Sequence, residues 1–174
     1  MTRPADPPAR RGHDVEIERK FLVREVPGEY SDAPSVPVRQ GYLVGGPDGE
    51  VRVRDAGRVH TLTVKSRGDL TRDEYEIALT PGQFDALWPA TAGRRLEKTR
   101  CSLALGSLTA ELDVYAGGLE GLQTVEVEFP TVEAARAFVP PAWFGREVTA
   151  DAAYKNASLA SRGLPQAGRG EDAP

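Results

Sequence analysis

Charged side chains recur two residues apart along this chain, and that spacing is where chemistry is first legible. Glu16, Glu18 and Lys20 stand in VEIERKF, Arg52 and Arg54 in VRVR, and Glu74 and Glu76 in DEYEI. Lys98 and Arg100 follow in LEKTR, Glu111 and Asp113 in AELDVY, and Glu126 and Glu128 in VEVEF, while Lys65 closes LTVK. In an extended strand alternate side chains share a face, so each pair points one way and the apolar residues between them point the other. Carboxylate clusters offer hard oxygen ligands suited to Mg²⁺ or Mn²⁺. Guanidinium and ammonium clusters hold phosphate oxygens, Arg through a two-pronged contact and Lys as a point charge. Acids and bases facing one another would therefore suit a metal-bound polyphosphate. The bland alternative is a solvated outer sheet face. Like charges two apart repel, however, and their repetition points to a ligand that compensates them.

The elements that must position these residues are short and alternating, which is the sign of strands. They cover Val15–Val23, Val38–Val44, Glu50–Arg54, Val59–Lys65, Asp73–Leu79, Arg95–Cys101, Ala110–Tyr115 and Thr124–Phe129. Eight antiparallel strands joined by short turns suit a barrel or a sandwich. Thr80-Pro81-Gly82-Gln83 spells a capping box with Pro at the first helical position, followed by Phe84, Leu87 and Trp88. Thr131 caps a second helix in this reading, with Val132, Ala135, Phe138 and Val139 on one face. Asp151 caps a third, running through Tyr154 and Leu159. Pro27 to Pro37 reads as a connecting loop and Gly45 to Gly49 as a hairpin turn. Residues 1–13 and 163–174 read as unstructured tails around one folded unit, 14–162.

Composition narrows the class. The chain has 174 residues, 40% hydrophobic and 28% charged, enough for one domain with a core. A net charge of −4 gives no general attraction to nucleic acid or to an anionic membrane, so basic residues that hold an anion must be gathered locally. No apolar run reaches the roughly 20 residues of a membrane helix, and the arginine-bearing N-terminus lacks the apolar core of a secretory signal. The lone Cys101 excludes an internal disulfide and fits a reducing cytoplasm. Cys101 reads as a small buried hydrophobe rather than a nucleophile, since no histidine motif accompanies it. His13, in the lead, and His60, at a strand start, belong to no Ser/His/Asp arrangement. Gly45-Gly46-Pro47-Asp48-Gly49 lacks the Gly-Lys-Ser/Thr ending of a phosphate-binding loop. Trp88 and Trp143 read as packing residues.

Val15-Glu16-Ile17-Glu18-Arg19-Lys20 resembles the ExExK signature of the CYTH superfamily, the triphosphate tunnel metalloenzymes. The likeness continues in order through QGYL, VRVR, LTVKS, RDEYEI, EKTR, ELDVY, VEVEF and EVTADAAYKNASL, over about residues 14–162. It is nearest to small bacterial inorganic triphosphatases. The resemblance implies an α+β fold: a closed eight-stranded antiparallel β-barrel forming a tunnel, helices packed outside, and a C-terminal helix near one end. It implies that Glu16, Glu18, Asp113, Glu126 and Glu128 hold Mg²⁺ or Mn²⁺. Lys20, Arg52, Arg54, Lys65, Lys98, Arg100 and Lys155 would bind phosphate. Glu74, Glu76 and Lys98 would take part in catalysis, the two acids serving a second metal or the attacking water. The activity implied is hydrolysis of inorganic triphosphate to pyrophosphate and phosphate. Adenylate cyclisation, thiamine triphosphate hydrolysis and a non-catalytic polyphosphate- or nucleotide-binding module stay open, and so does a homodimer. Two departures from the family pattern are Ala153, where a basic residue often precedes the aromatic, and Cys101, where an aromatic often follows KTR.

Overall fold

Eight antiparallel strands close into a barrel in the computed structural model, which describes residues 12–23, 25–30, 32–46 and 49–165. They are β1 (Gly12–Val23), β2 (Ser35–Gly46), β3 (Gly49–Ala56), β4 (Val59–Ser66), β5 (Thr71–Leu79), β6 (Arg95–Leu105), β7 (Leu108–Tyr115) and β8 (Gln123–Glu128). The ring runs β1-β5-β4-β3-β2-β6-β7-β8 and returns to β1. Closure rests on β1, which pairs with β5 through Gly12 to Ile17 and with β8 through Glu18 to Leu22. A closed ring leaves none of these eight strands as a free edge. A ninth strand, β9 (Phe144–Glu147), joins the end of β1 opposite Phe21 and Val23.

The tails expected over 1–13 and 163–174 fall largely outside the described residues, as do Pro47 and Asp48 of the expected turn. Where the two readings overlap, β1 already begins at Gly12, so the backbone of His13 lies in a strand.

The charged faces point inward and the apolar faces outward. Ile17, Phe21, Val23, Leu103, Leu112, Val125 and Val127 cover the outside of β1, β6, β7 and β8, and there they form the main core. Helix α2 (Val132–Ala137) packs over it, Phe138 and Phe144 lie against Phe21, and Trp143 meets Phe144 edge-on. Helix α1 (Pro81–Leu87) begins with the expected capping box, Thr80 with Gln83, and buries Phe84 fully. Phe84 stacks on Trp88 and meets at a tilt the ring of His60, whose Nε2 also lies 3.5 Å from Asp55. Helix α3 (Asn156–Arg162) lies against β2 and β6, where Leu159 joins Leu96, Tyr115 and Leu119 in a smaller core. No helix among the described residues is long and apolar enough to cross a membrane.

Three local expectations need correction. The α2 pattern stops at Ala137: Phe138 is extended and Val139 is 84% exposed. Pro140 and Pro141 follow, and a residue before proline is pushed out of the helical region. Asp151 caps only a 3₁₀ turn, Ala152–Tyr154, because Lys155 takes an extended conformation and α3 starts afresh at Asn156. The stretch from Pro27 to Pro37 is not all loop, since it holds a 3₁₀ turn at Gly28–Tyr30 and β2 begins at Ser35.

Gly41 marks where β2 meets the segment after α1. A Cβ there would lie 2.4 Å from Thr91 Oγ1 and 2.5 Å from Thr91 Cβ. Thr91 cannot yield, because it is fully buried and its hydroxyl donates to Trp88 O at 2.7 Å. Gly41→Ala should therefore cost about 1–3 kcal/mol by overpacking, read as a lowered denaturation midpoint. An unchanged midpoint would mean that this contact is not tight in solution.

Candidate active site

The period of two puts each charged pair on an inner strand face, and the antiparallel register then decides who meets whom. Arg72 stands opposite Glu16, Glu74 opposite Lys65, Glu126 opposite Lys20, and Asp113 opposite Arg100. The barrel holds a cavity of about 460 Å³, lined by Glu16, Glu18, Arg52, Arg54, Lys65, Glu74, Glu76, Arg100, Glu126 and Glu128, among others. Lys20 and Lys155 line a smaller neighbouring recess, which shares Glu18, Arg52, Arg72, Glu126 and Asn156 with the main cavity.

The carboxylates are arranged around cations of the protein itself. Glu16 accepts from Lys65 Nζ through both oxygens at 2.7 Å and from Arg72 Nε at 2.7 Å. Burial opposes its ionisation, but Lys65 and Arg72 outweigh burial and hold the carboxyl at about 2. Glu18 accepts from Arg72 Nη2 at 2.5 Å. Burial, then the neighbouring Glu126 and Glu16, push the Glu18 carboxyl up to about 7. Glu126 holds Lys20 at 3.0 Å and Arg100 at 2.9 Å, and these cations, with Lys98, overcome burial to keep it well below the usual carboxylate range. Glu128 sits at an exposed end of the cavity, where partial burial, Glu16 and Glu111 raise it. Glu74 pairs with Lys65 at 2.6 Å, and Glu76 accepts from the buried Thr63 hydroxyl at 3.0 Å.

Two of the bases are differently placed. Arg52 is 5% exposed, and its nearest acid is Glu50 at 4.0 Å. Its Nε and that of Arg54 are buried without a hydrogen-bond partner among the described residues. The Arg52 charge, then burial, then Arg100, lower Arg54 to about 10. Two mutually repelling guanidiniums with enclosed donors to spare are chemically suited to an anion.

The remaining candidates lie at the margins of this arrangement. Asp113 is fully buried, and Arg100 takes both of its oxygens at 2.7 Å, with Lys98 on Oδ2 as well. Burial and Arg100 push the Lys98 amine down to about 7. Lys98 lies beneath the cavity wall beside Tyr115. Lys155 donates to Gly68 O at 2.9 Å and Asp69 at 2.5 Å, which ties the start of α3 to the turn between β4 and β5.

Sequence reasoning passed over Arg72, although it shares the inner face of β5 with Glu74 and Glu76 and the period of two was enough to find it. It also passed over Asn156, whose Oδ1 accepts from Tyr115 Oη at 2.6 Å and lies 3.5 Å from Lys20 Nζ. No alternation flags a lone Asn at a helix start.

The donor set suits a hard divalent cation: Glu16, Glu18, Glu126 and Glu128 supply only oxygens within one cavity. Burial raises Glu18 first, and the repulsion from Glu126 and Glu16 that adds to it is what such a cation would relieve. Among the described residues no three acidic, His or Cys side chains converge on one point. Lys65, Arg72, Lys20 and Arg100 occupy Glu16, Glu18 and Glu126 instead.

The chain is 54% identical over 149 residues to an inorganic triphosphatase of Nitrosomonas europaea, across 84% of this chain and 97% of that protein. It is 36% identical over 146 residues to an inorganic triphosphatase of Acetivibrio thermocellus, across 83% and 92%. The crystal structure of the inorganic triphosphatase NE1496 superposes with a TM-score of 0.63 at 50% identity, covering 84% of this chain and 97% of that one. A putative adenylate cyclase from Bacillus halodurans shares the fold, with a TM-score of 0.54 at 18% identity over 72% and 86%. No family model matches the chain.

Proposed function

The chain belongs to the inorganic triphosphatases of the CYTH superfamily, and from that premise we propose that it hydrolyses inorganic triphosphate to pyrophosphate and phosphate inside the barrel. The observation that carries this reading is the pair Arg52, buried, and Arg54, half-buried, whose enclosed Nε donors lack acceptors among the described residues. A short chain of phosphates brings many oxygens in little volume, and it satisfies both guanidiniums without an organic pocket.

In this reading Arg52 and Arg54 grip the chain from β3, with Arg100, Lys20 and Lys65 contributing charge from neighbouring strands. Lys155 meets the substrate at the outer recess. Glu16, Glu18, Glu126 and Glu128 would hold Mg²⁺ or Mn²⁺, which when bound neutralises charge at the transferred phosphoryl group. Asp113 contributes by orienting Lys98 and Arg100. Glu74 and Glu76 face the cavity from β5, where they orient water for in-line attack. Lys98 would act through Asp113, with which its amine is paired, rather than by direct contact. The free thiol of Cys101 supports a reducing, cytoplasmic setting.

Phosphate release from tripolyphosphate, ATP and thiamine triphosphate, measured side by side, tests the reading. The highest kcat/KM is expected on tripolyphosphate, because the lining grips phosphate oxygens and offers a base little stacking. EDTA should abolish turnover, and Mg²⁺ or Mn²⁺ should restore it. An equal or higher value on ATP, cyclic AMP as the main product, or full turnover in metal-free chelator would each overturn it.

A further inference from the structure

Arg72 bridges the two acids of the ExExK motif. It lies directly across from Glu16 in the β1–β5 ladder, its Nε 2.7 Å from Glu16 and its Nη2 2.5 Å from Glu18. We infer that Arg72 is an internal counter-ion that stands in for the divalent cation, and that the cation binds only by displacing its guanidinium from Glu16 and Glu18. This rests on the reading that the cation sits on those carboxylates.

The geometry makes the two occupants exclusive. Arg72 takes Glu16 Oε2 and Glu18 Oε1, one oxygen from each acid, with a single guanidinium. A metal ion drawing on the same oxygens would meet the guanidinium charge at contact distance, where two cations in a shielded site repel strongly. Lys65 also holds Glu16, but it is 3% exposed and anchored at once to Glu74 at 2.6 Å. Among the described residues the ion pair to Glu18 comes from Arg72. Arg72 also has somewhere to go, because it borders both the main cavity and the outer recess, which Lys20, Arg52 and Lys155 line as well. Once released, its guanidinium faces the space assigned to phosphate. The exchange links the two ligands: a cation on Glu16 and Glu18 frees a donor for the anion, and the anion holds that donor away from the acids. A merely structural Arg72 would have the opposite effect, because its loss would leave the acids less well ordered for a metal.

The test is Mn²⁺ binding by calorimetry to the substrate-free parent and to Arg72→Gln, at a pH above 8 so that Glu18 is ionised in both. Arg72→Gln is expected to bind Mn²⁺ about 10-fold tighter, on the order of one charge-assisted contact. The Mn²⁺-induced rise in melting temperature should be correspondingly larger. Unchanged or weaker affinity in a folded Arg72→Gln, or no detectable binding to it, overturns the inference. Should that variant fail to fold, Arg72→Met, which keeps the apolar stem and removes the charge, carries the test; tighter Mn²⁺ binding is again expected and unchanged binding refutes. Tripolyphosphate turnover by the parent is scored separately. A parent inactive on tripolyphosphate, with tightened Mn²⁺ binding in the variant, would remove the substrate assignment and leave Arg72 as inferred.

Discussion

Glu126→Gln is expected to abolish most turnover while the barrel stays folded. The substitution keeps the shape of a side chain that lies between Lys20 at 3.0 Å and Arg100 at 2.9 Å, and removes only its charge. That charge serves two ends: it orients two bases proposed to meet phosphate, and it adds to the negative field around Glu18 that draws in a cation. Loss of an outer-shell partner alone typically costs 10–100-fold at a metal site, so kcat should fall by about 100-fold or more, with a higher Mg²⁺ concentration needed for half-activity. Stability should change far less. Lys20 loses a partner, but Glu18 loses a repelling neighbour, and Arg100 keeps Asp113 and Glu111. Kinetics across a Mg²⁺ series, with a thermal melt of each protein, decide the matter. Normal kcat and an unchanged Mg²⁺ requirement would remove Glu126 from the site.

Asp113→Ala is expected to show the reverse, a large loss of stability. The carboxylate is fully buried under Lys98 and Arg100, and both of its oxygens are engaged. Removing one member of a buried ion cluster strands the others, at a cost of about 3–5 kcal/mol. Burial alone would raise this carboxyl, but Lys98 and Arg100 outweigh it and hold it below its ordinary value of 3.8. A carboxyl depressed in the folded state stabilises fully above the unfolded value, and that contribution drains away as pH falls through and below it. The parent should therefore lose stability in acid more steeply than Asp113→Ala does. Denaturant melts at neutral pH and near pH 3 measure both effects. A variant as stable as the parent, but with a strongly raised Mg²⁺ requirement, would instead make Asp113 a metal ligand that faces the cavity.

The contrast between these two carboxylates shows where sequence stops being informative. Both stand in strands of the same period, ELD and EVE, and a resemblance to relatives groups them together as metal candidates. Their surroundings differ because the β6–β7 register sets Arg100 against Asp113, whereas β8 sets Glu126 against Lys20 from β1. Those partners are 13 and 106 residues away in the chain, and no local pattern encodes them.

What the sequence determined alone was local and periodic. Two-residue alternation made the eight strands and put the paired charges of six of them on one face, because Cβ direction reverses at every residue of an extended chain. Thr80 with Gln83 announced α1, since a cap needs only neighbours within one turn. Pro140 already held the signal that ends α2, although the apolar period suggested otherwise. Tertiary structure decided the rest. An alternating strand does not say which of its faces turns inward, and here closure of β1 onto β5 put the charges inside while α2 and β9 covered the apolar face on the β1, β6, β7 and β8 side. It also chose Arg72 as the bridge between Glu16 and Glu18, placed Lys98 beneath the wall, and broke the terminal helix at Lys155 so that its amine reaches Asp69. Each of these depends on strand register and on ring closure, which are properties of pairs of distant segments and are set by how the whole barrel packs.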